Sequence, residues 1–408
     1  MQLMNKKKFK NLIINLITIT ISVFICLLII NFTLIKISSK QLLPRSLAGS
    51  LPNNLFTYYP DTYDKKNFKS YVAVLGDSMA QGGGDAYLSG KKDYSIIHHL
   101  HNINNINYLI FARAGYSSIS SVSNLVKLYK LSNQSFLFDD LKKPDSILFV
   151  FNEGLNLHSN TTEYRKFKRD NEKISAYTLR RINQNIELNY LDYLNNSYPL
   201  LPFLGKFYES FEIMFHKIAS AKNIEDIKLL VSSRLRKLFG KTIVLNDVPK
   251  NNLTWTNSIK NHSNIKNIRP IQGASLHLTK DEIKTAIEIF FESIKYIQAW
   301  SNDKKIQIVY IPSAISSYTW DEPIVFFYRD HYLGPKTTNN KTNNSNSIFI
   351  RKQIKNFSIN NNIEFLDTTS EVFKNGENLV LHGPLDWGHF NDRGYKIISN
   401  FIIENLTK

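Results

Sequence analysis

The chain has 408 residues and a single cysteine, Cys26. One cysteine excludes a disulfide framework, a cysteine-based metal cluster and a cysteine nucleophile anywhere else in the chain. Glycine (16) and proline (12) are too few for a collagen-like or linker-like polymer. Acidic side chains are in deficit, 34 against 51 basic ones, which leaves a formal charge of +17. Charge alone would permit nucleic acid, but no finger, RNP-type pattern or basic–aromatic array accompanies it, so no nucleic-acid partner is expected. A basic surface of this kind suits anionic glycans, lipid headgroups or a membrane face. At 43% hydrophobic and 21% charged, the chain can build a large core and is not of disordered composition.

Charge is also missing from one long run, NLIINLITITISVFICLLIINFTLI, Asn11–Ile35. A helix crosses the hydrocarbon layer in roughly 20 residues, so this run is long enough. Lys6, Lys7, Lys8 and Lys10 precede it, and the sparser Lys36, Lys40 and Arg45 follow. That bias predicts a cytoplasmic N-terminus and an exported body. The run is long for a signal peptide, and no small-x-small cleavage pattern stands out after it. The expectation is therefore a single-pass inner-membrane protein. Residues 1–45 would form a basic tip, an uncleaved transmembrane anchor and its flank, and 46–70 a connector to a periplasmic body.

What is present in the body is an alternation. VAVLG (Val72–Gly76), NYLIFARAG (Asn107–Gly115), SILFVFNEG (Ser146–Gly154), IQIVYIPS (Ile306–Ser313) and NIEFLD (Asn362–Asp367) are short apolar runs. Runs of this kind suit parallel strands covered on both faces. Helical patterns lie between them: Ile119–Leu131, Ser347–Phe357, Tyr395–Ile403, and a segment starting at Thr279, where TKDE puts Glu282 at the capping-box position. The expected fold is a three-layer α/β/α sandwich with a central parallel sheet over 71–408. Between the third and fourth strands lie about 150 residues, far more than one crossover needs. A mainly helical insertion at about 157–280 is expected there, with Tyr164–Leu188 helical. NKTNNSNS, Asn340–Ser347, reads as a polar loop.

The first strand breaks at Gly76-Asp77-Ser78. A serine hydroxyl is a poor nucleophile unless an imidazole takes its proton and a carboxylate orients that ring. Near the C-terminus, LDWGHFNDRGY places Asp386 three residues before His389, a spacing at which one turn can join the two side chains. Acyl transfer also needs donors aimed at the developing oxyanion. Three candidates follow predicted strands: the backbone N–H of Ser78, that of Gly115 in ARAG, and the side-chain amide of Asn156 in FNEGLN. In an open parallel sheet the carboxyl ends of the strands form the ligand crevice. His98, His99 and His101 lack a carboxylate-rich partner pattern and read as a solvated helix or loop.

Four blocks, GDSMAQG (Gly76–Gly82), Gly115, GLN (Gly154–Asn156) and DWGH (Asp386–His389), occur in an order that resembles the SGNH, or GDSL-like, hydrolase superfamily. The resemblance covers Tyr71–Asn156 and Lys304–Lys408. Leu157 stands where many members carry an aspartate. It implies a flavodoxin-like fold, Ser78, Asp386 and His389 as catalytic residues, and Ser78, Gly115 and Asn156 as the oxyanion hole, with no metal or organic cofactor. The function implied is a serine esterase removing acyl groups, O-acetyl above all, from an envelope glycan or lipid. The alternatives are an envelope O-acyltransferase using the same triad and an inactive anchored glycan-binding or assembly protein.

Overall fold

The computed structural model describes residues 70–88, 94–134, 141–195, 257–260, 271–272, 278–302, 304–328, 335–384 and 386–406, with positions 15, 18, 21–23, 25, 26, 29 and 268. The chain divides into two compact units, Met1–Phe56 with Asn189–Gly240 and Thr57–Leu188 with Lys241–Lys408. The second holds the sheet and the candidate site.

In chain order the elements are β1 (Val72–Leu75), α1 (Ser78–Gln81), α2 (Asp85–Leu88), α3 (Ile96–Asn104), β2 (Tyr108–Ile110), α4 (Ser118–Gln134) and β3 (Ser146–Asn152). There follow α5 (Leu155–Phe167), α6 (Ile174–Asn195), β4 (Ile271–Gln272), α7 (Lys280–Ser301), β5 (Lys305–Ile311), β6 (Ile324–Tyr328) and β7 (Pro335–Asn339). The last are α8 (Asn340–Asn360), β8 (Glu364–Asp367), α9 (Thr369–Gly376) and α10 (Asp392–Leu406). The central sheet runs β2-β1-β3-β5-β8 and every pairing in it is parallel.

Alternation along the strands divides the core in two. Ala73, Leu75, Phe149, Phe151, Ile308 and Tyr310 pack in one cluster, with Val122 and Val126 of α4, Ile287 and Phe290 of α7, and Ile354 of α8. Val74, Leu148, Val150, Val309 and Ile311 face the other way and pack with Leu100 of α3, Val372 of α9, and Tyr395 and Ile398 of α10. Because successive strand side chains point to opposite faces, runs apolar at every position require cover on both sides. The result is an α/β sandwich. Phe290 shows how closely α7 is seated, with its ring 5.0 Å from Phe149 and 4.6 Å from Phe151. The start of α7 is the anticipated capping box, Thr279 and Glu282 each bonding the other's backbone N–H.

The chain leaves β1 toward β2 on one side and returns to β3 on the other. This reversal opens a crevice at the carboxyl ends of β1 and β3.

Several expectations are corrected. No helix among the described residues is long and apolar enough to cross a membrane. Of the Asn11–Ile35 run only Asn15, Thr18, Ile21, Ser22, Val23, Ile25, Cys26 and Ile29 are described, all helical. The transmembrane anchor, the membrane as partner and the single-pass inner-membrane location with a periplasmic body are withdrawn. Residues 46–69 of the connector and 196–256 of the insertion lie outside the described residues. Asn340–Ser347 is no loop. It forms the opening turns of α8, started by the Asn339 side chain accepting from the Lys341 N–H at 2.8 Å. Tyr164–Leu188 is split between α5 and α6, with Asn171 at φ 56° in the break. A second sheet, β4-β6-β7, was not anticipated.

Candidate functional site

The turn after β1 is built around Gly76. Its φ is 141°, and a Cβ there would lie 2.5 Å from the Val150 carbonyl oxygen of β3, so only glycine lets the chain turn this close to its neighbour. Asp77 caps α1, its Oδ1 accepting from the Met79 N–H at 2.8 Å. Ser78 is thus the first residue of a helix, where a backbone N–H has no intrahelical acceptor. Its side chain is held at the rim, 8% exposed.

His389 reaches it from the far end of the chain. His389 Nε2 lies 2.7 Å from Ser78 Oγ, and Nδ1 lies 2.7 Å from Asp386 Oδ2. The carboxylate can only accept at Nδ1, so that nitrogen carries the proton and Nε2 accepts from the serine hydroxyl. Asp386 Oδ1 accepts from the Gly388 N–H at 2.8 Å, which leaves neither carboxylate oxygen idle. Burial pushes the Asp386 carboxyl up, but the bond from His389, its charge and the Gly388 N–H hold it below the usual carboxylate value. Burial pushes His389 down, yet the Asp386 bond and charge, helped by Asp77, hold the imidazole above its ordinary value. The two shifts agree in direction: each partner favours the other's charged form.

The ring is hemmed in by Gly83 and Gly84. A Cβ on Gly83 would sit 2.9 Å from His389 Cδ2, and one on Gly84 2.5 Å from the Phe390 carbonyl oxygen. Tyr395 holds this corner by donating its hydroxyl to the Gly83 carbonyl at 2.6 Å. Asp85 holds it from the other side, accepting the Asp386 N–H at 2.7 Å. None of Gly83, Asp85 and Tyr395 was singled out from the sequence. The run Gly82-Gly83-Gly84 was the available signal, since adjacent glycines mark close backbone approach.

Asn156, in the first turn of α5, is fully buried. Its Oδ1 accepts from the Asn152 N–H at 2.7 Å, which fixes the amide and leaves Nδ2 buried with no hydrogen-bond partner among the described residues. Asn152 Oδ1 in turn accepts from the N–H groups of Gly154 and Leu155, both at 2.9 Å. Gly115 sits on an exposed loop after β2 at φ 77°, with nothing within 4 Å of where a Cβ would project. That loop is tied to α1 through the Ala114 N–H, which donates to Gln81 Oε1 at 2.8 Å.

Two further buried acids line this region. Burial pushes the Asp77 carboxyl up to about 7, against the Met79 N–H and His389, and its Oδ2 has no partner among the described residues. Glu153 is raised by burial too. It accepts from Tyr310 and Ser347 at 2.7 Å and from Ser313 and Ser316 at 3.3 Å, pinning β3 to β5 and α8. His382 is buried beneath Phe390, and burial drives it down to about 3. His98, His99 and His101 all lie on α3, and the solvated setting expected for them is corrected at His98, which is buried, stacked on Tyr94 and bonded to Ser95. No group of three His, Cys, Asp or Glu among the described residues could hold a metal ion.

No protein-family model matches the chain, and no curated protein matches its sequence. The membership suggested by the SGNH-like blocks is therefore corrected. Four blocks of one to seven residues do not amount to a family match, and the chain is assigned to none. What the structure does carry is an enzyme-like α/β domain, with buried polar and charged residues gathered where its parallel strands end.

Proposed function

We propose that the protein is a serine hydrolase that cleaves carboxylic esters through an acyl-Ser78 intermediate. The observation that carries this reading is the unbroken relay from Ser78 Oγ through His389 to Asp386, both contacts 2.7 Å long. In the first half-reaction Ser78 Oγ attacks the ester carbonyl while His389 Nε2 takes its proton. Asp386 offsets the imidazolium charge. The backbone N–H groups of Ser78 and Gly115 and the Asn156 amide donate to the oxyanion. Collapse of the tetrahedral adduct expels the alcohol, which takes the proton from His389. Water then gives a proton to His389 as it attacks the acyl carbon, and Ser78 leaves with that proton restored. The unpartnered Asn156 Nδ2 supports the oxyanion role, because a buried donor left idle is costly unless something occupies it during turnover.

The test is covalent. A fluorophosphonate probe applied to the full chain is expected to modify Ser78, located by peptide mass, and to fail in Ser78→Ala and His389→Ala. Modification at another residue, or ester turnover retained in Ser78→Ala, overturns the reading.

A further inference from the structure

Glu153 is 1% exposed, and no step assigned to Ser78, His389 and Asp386 uses it. An apolar side chain would fill this part of the core at less cost, since a buried carboxylate needs hydrogen bonds to compensate for lost water. Glu153 has them. Its Oε2 accepts from the hydroxyls of Tyr310 and Ser347, both at 2.7 Å. Its Oε1 accepts from Ser313 and Ser316, both at 3.3 Å, and Asn343 Nδ2 donates to Ser316 Oγ at 3.2 Å behind them. Tyr310 belongs to β5, Ser313 and Ser316 to the turn that follows it, and Asn343 and Ser347 to α8. A carboxylate has about four acceptor sites, and hydroxyls from three stretches of chain converge on these.

The backbone of residue 153 is held too. Its N–H donates to the Ile311 carbonyl at 2.9 Å, which carries the β3–β5 pairing one residue past the end of β3. The chain then turns into α5, whose first turn bears Asn156. Asn156 Oδ1 accepts from the Asn152 N–H at 2.7 Å, and Asn152 Oδ1 accepts from Gly154 and Leu155 at 2.9 Å. Glu153 therefore sits inside a turn, 152–156, whose two ends bond each other. A donor is aimed accurately only when the groups that support it are themselves locked.

We propose that Glu153 is a positioning residue for Asn156: clamped by hydroxyls of β5, the following turn and α8, it fixes the 152–156 turn so that Nδ2 meets the forming oxyanion. The role rests on the hydrolase reading, which supplies the oxyanion.

The rate of fluorophosphonate labelling at Ser78 in the full chain tests it, because phosphonylation develops charge against the same donors. Glu153→Gln is expected to lower the maximal labelling rate roughly tenfold, as a small misplacement of a donor does, with the half-saturating probe concentration little changed. In an Asn156→Ala background the same substitution is expected to cost less than about twofold, since two changes acting through one amide do not add. Ser347→Ala, which keeps the carboxylate and removes one short bond, is expected to show the same pattern and decides the matter if Glu153→Gln does not fold. Equal losses in the two backgrounds, an unchanged maximal rate, or a loss confined to probe affinity overturns the positioning role and leaves the hydrolase standing. A wild type that is not labelled at Ser78 ends the hydrolase reading, and the positioning role falls with it.

Discussion

The backbone N–H of Asp386 donates to the carboxylate of Asp85 at 2.7 Å, across 301 residues of chain. Asp386 uses both of its carboxylate oxygens on Gly388 and His389, so its backbone is anchored by Asp85 at the N–H and by the Gly383 N–H, which donates to its carbonyl at 3.1 Å. Asp85 touches no reacting atom and is a positioning residue. Asp85→Ala is expected to lower kcat roughly ten- to a hundredfold, the loss typical when a supporting contact lets a catalytic group drift by about 1 Å. Asp85→Asn keeps an acceptor oxygen and is expected to recover most of that loss. Equal losses in the two variants would remove the positioning role.

The His389–Asp386 pair sets the expected pH dependence. The base works only when neutral, so the rate falls as pH drops through the His389 pKa, which lies above the ordinary 6.5. Asp386 is held below its usual value and stays ionised across that range. Asp386→Asn removes the carboxylate that raises the imidazole, so the acid limb of kcat/KM is expected to move to lower pH. The plateau is expected to drop by about 10⁴, as when an orienting carboxylate is lost from such a relay. The linked stability has a fixed sign: for His389 it is fully present below its unfolded pKa and is lost as pH rises through the higher folded one. Probe-inactivation rates and urea midpoints from pH 5 to 9 would check both, and an unmoved limb in Asp386→Asn would contradict the pairing.

The central sheet was legible because its strands are largely apolar runs closed by Gly, Asn, Pro or Asp, as two-sided burial demands. The meeting of Ser78 and His389 was legible for a related reason: a turn closing the first strand of such a sheet opens at its carboxyl edge. Their chemical roles belong to the proposal. Asp85 was illegible because its contribution is one oxygen accepting a backbone N–H, which no spacing announces. The start of α8 was hidden by its Asn, Ser and Thr residues, poor helix formers that also serve as caps.

Asn156 offers a separable test. Its Nδ2 has no ground-state partner among the described residues, so removing it should cost little binding. Asn156→Ala is expected to lower kcat by about 10²–10³, roughly 2.7–4 kcal/mol, with KM little changed. Losing the Oδ1 acceptor for the Asn152 N–H also costs about 1–3 kcal/mol of stability, visible as a lower melting temperature. If KM rises while kcat holds, the amide serves binding and not the oxyanion.

Gly83 and Gly115 make opposite demands on their missing side chains. At Gly83 an added methyl meets His389 Cδ2 at 2.9 Å, His389 Nε2 at 3.0 Å and the Ser78 carbonyl oxygen at 3.1 Å. At Gly115 it meets nothing within 4 Å, and only the φ of 77° resists it. Gly115→Ala therefore costs backbone strain of about 1–2 kcal/mol. Gly83→Ala must push the imidazole away from Ser78. Overpacking of this size costs about 1–3 kcal/mol, which the fold can absorb, but the 2.7 Å contact to Ser78 cannot survive the shift. Gly83→Ala is expected to stay folded and lose at least tenfold in the rate of Ser78 labelling, with the pKa of the acid limb disturbed. A Gly83→Ala protein labelled as fast as the wild type would show that His389 does not have to stand where the relay requires it.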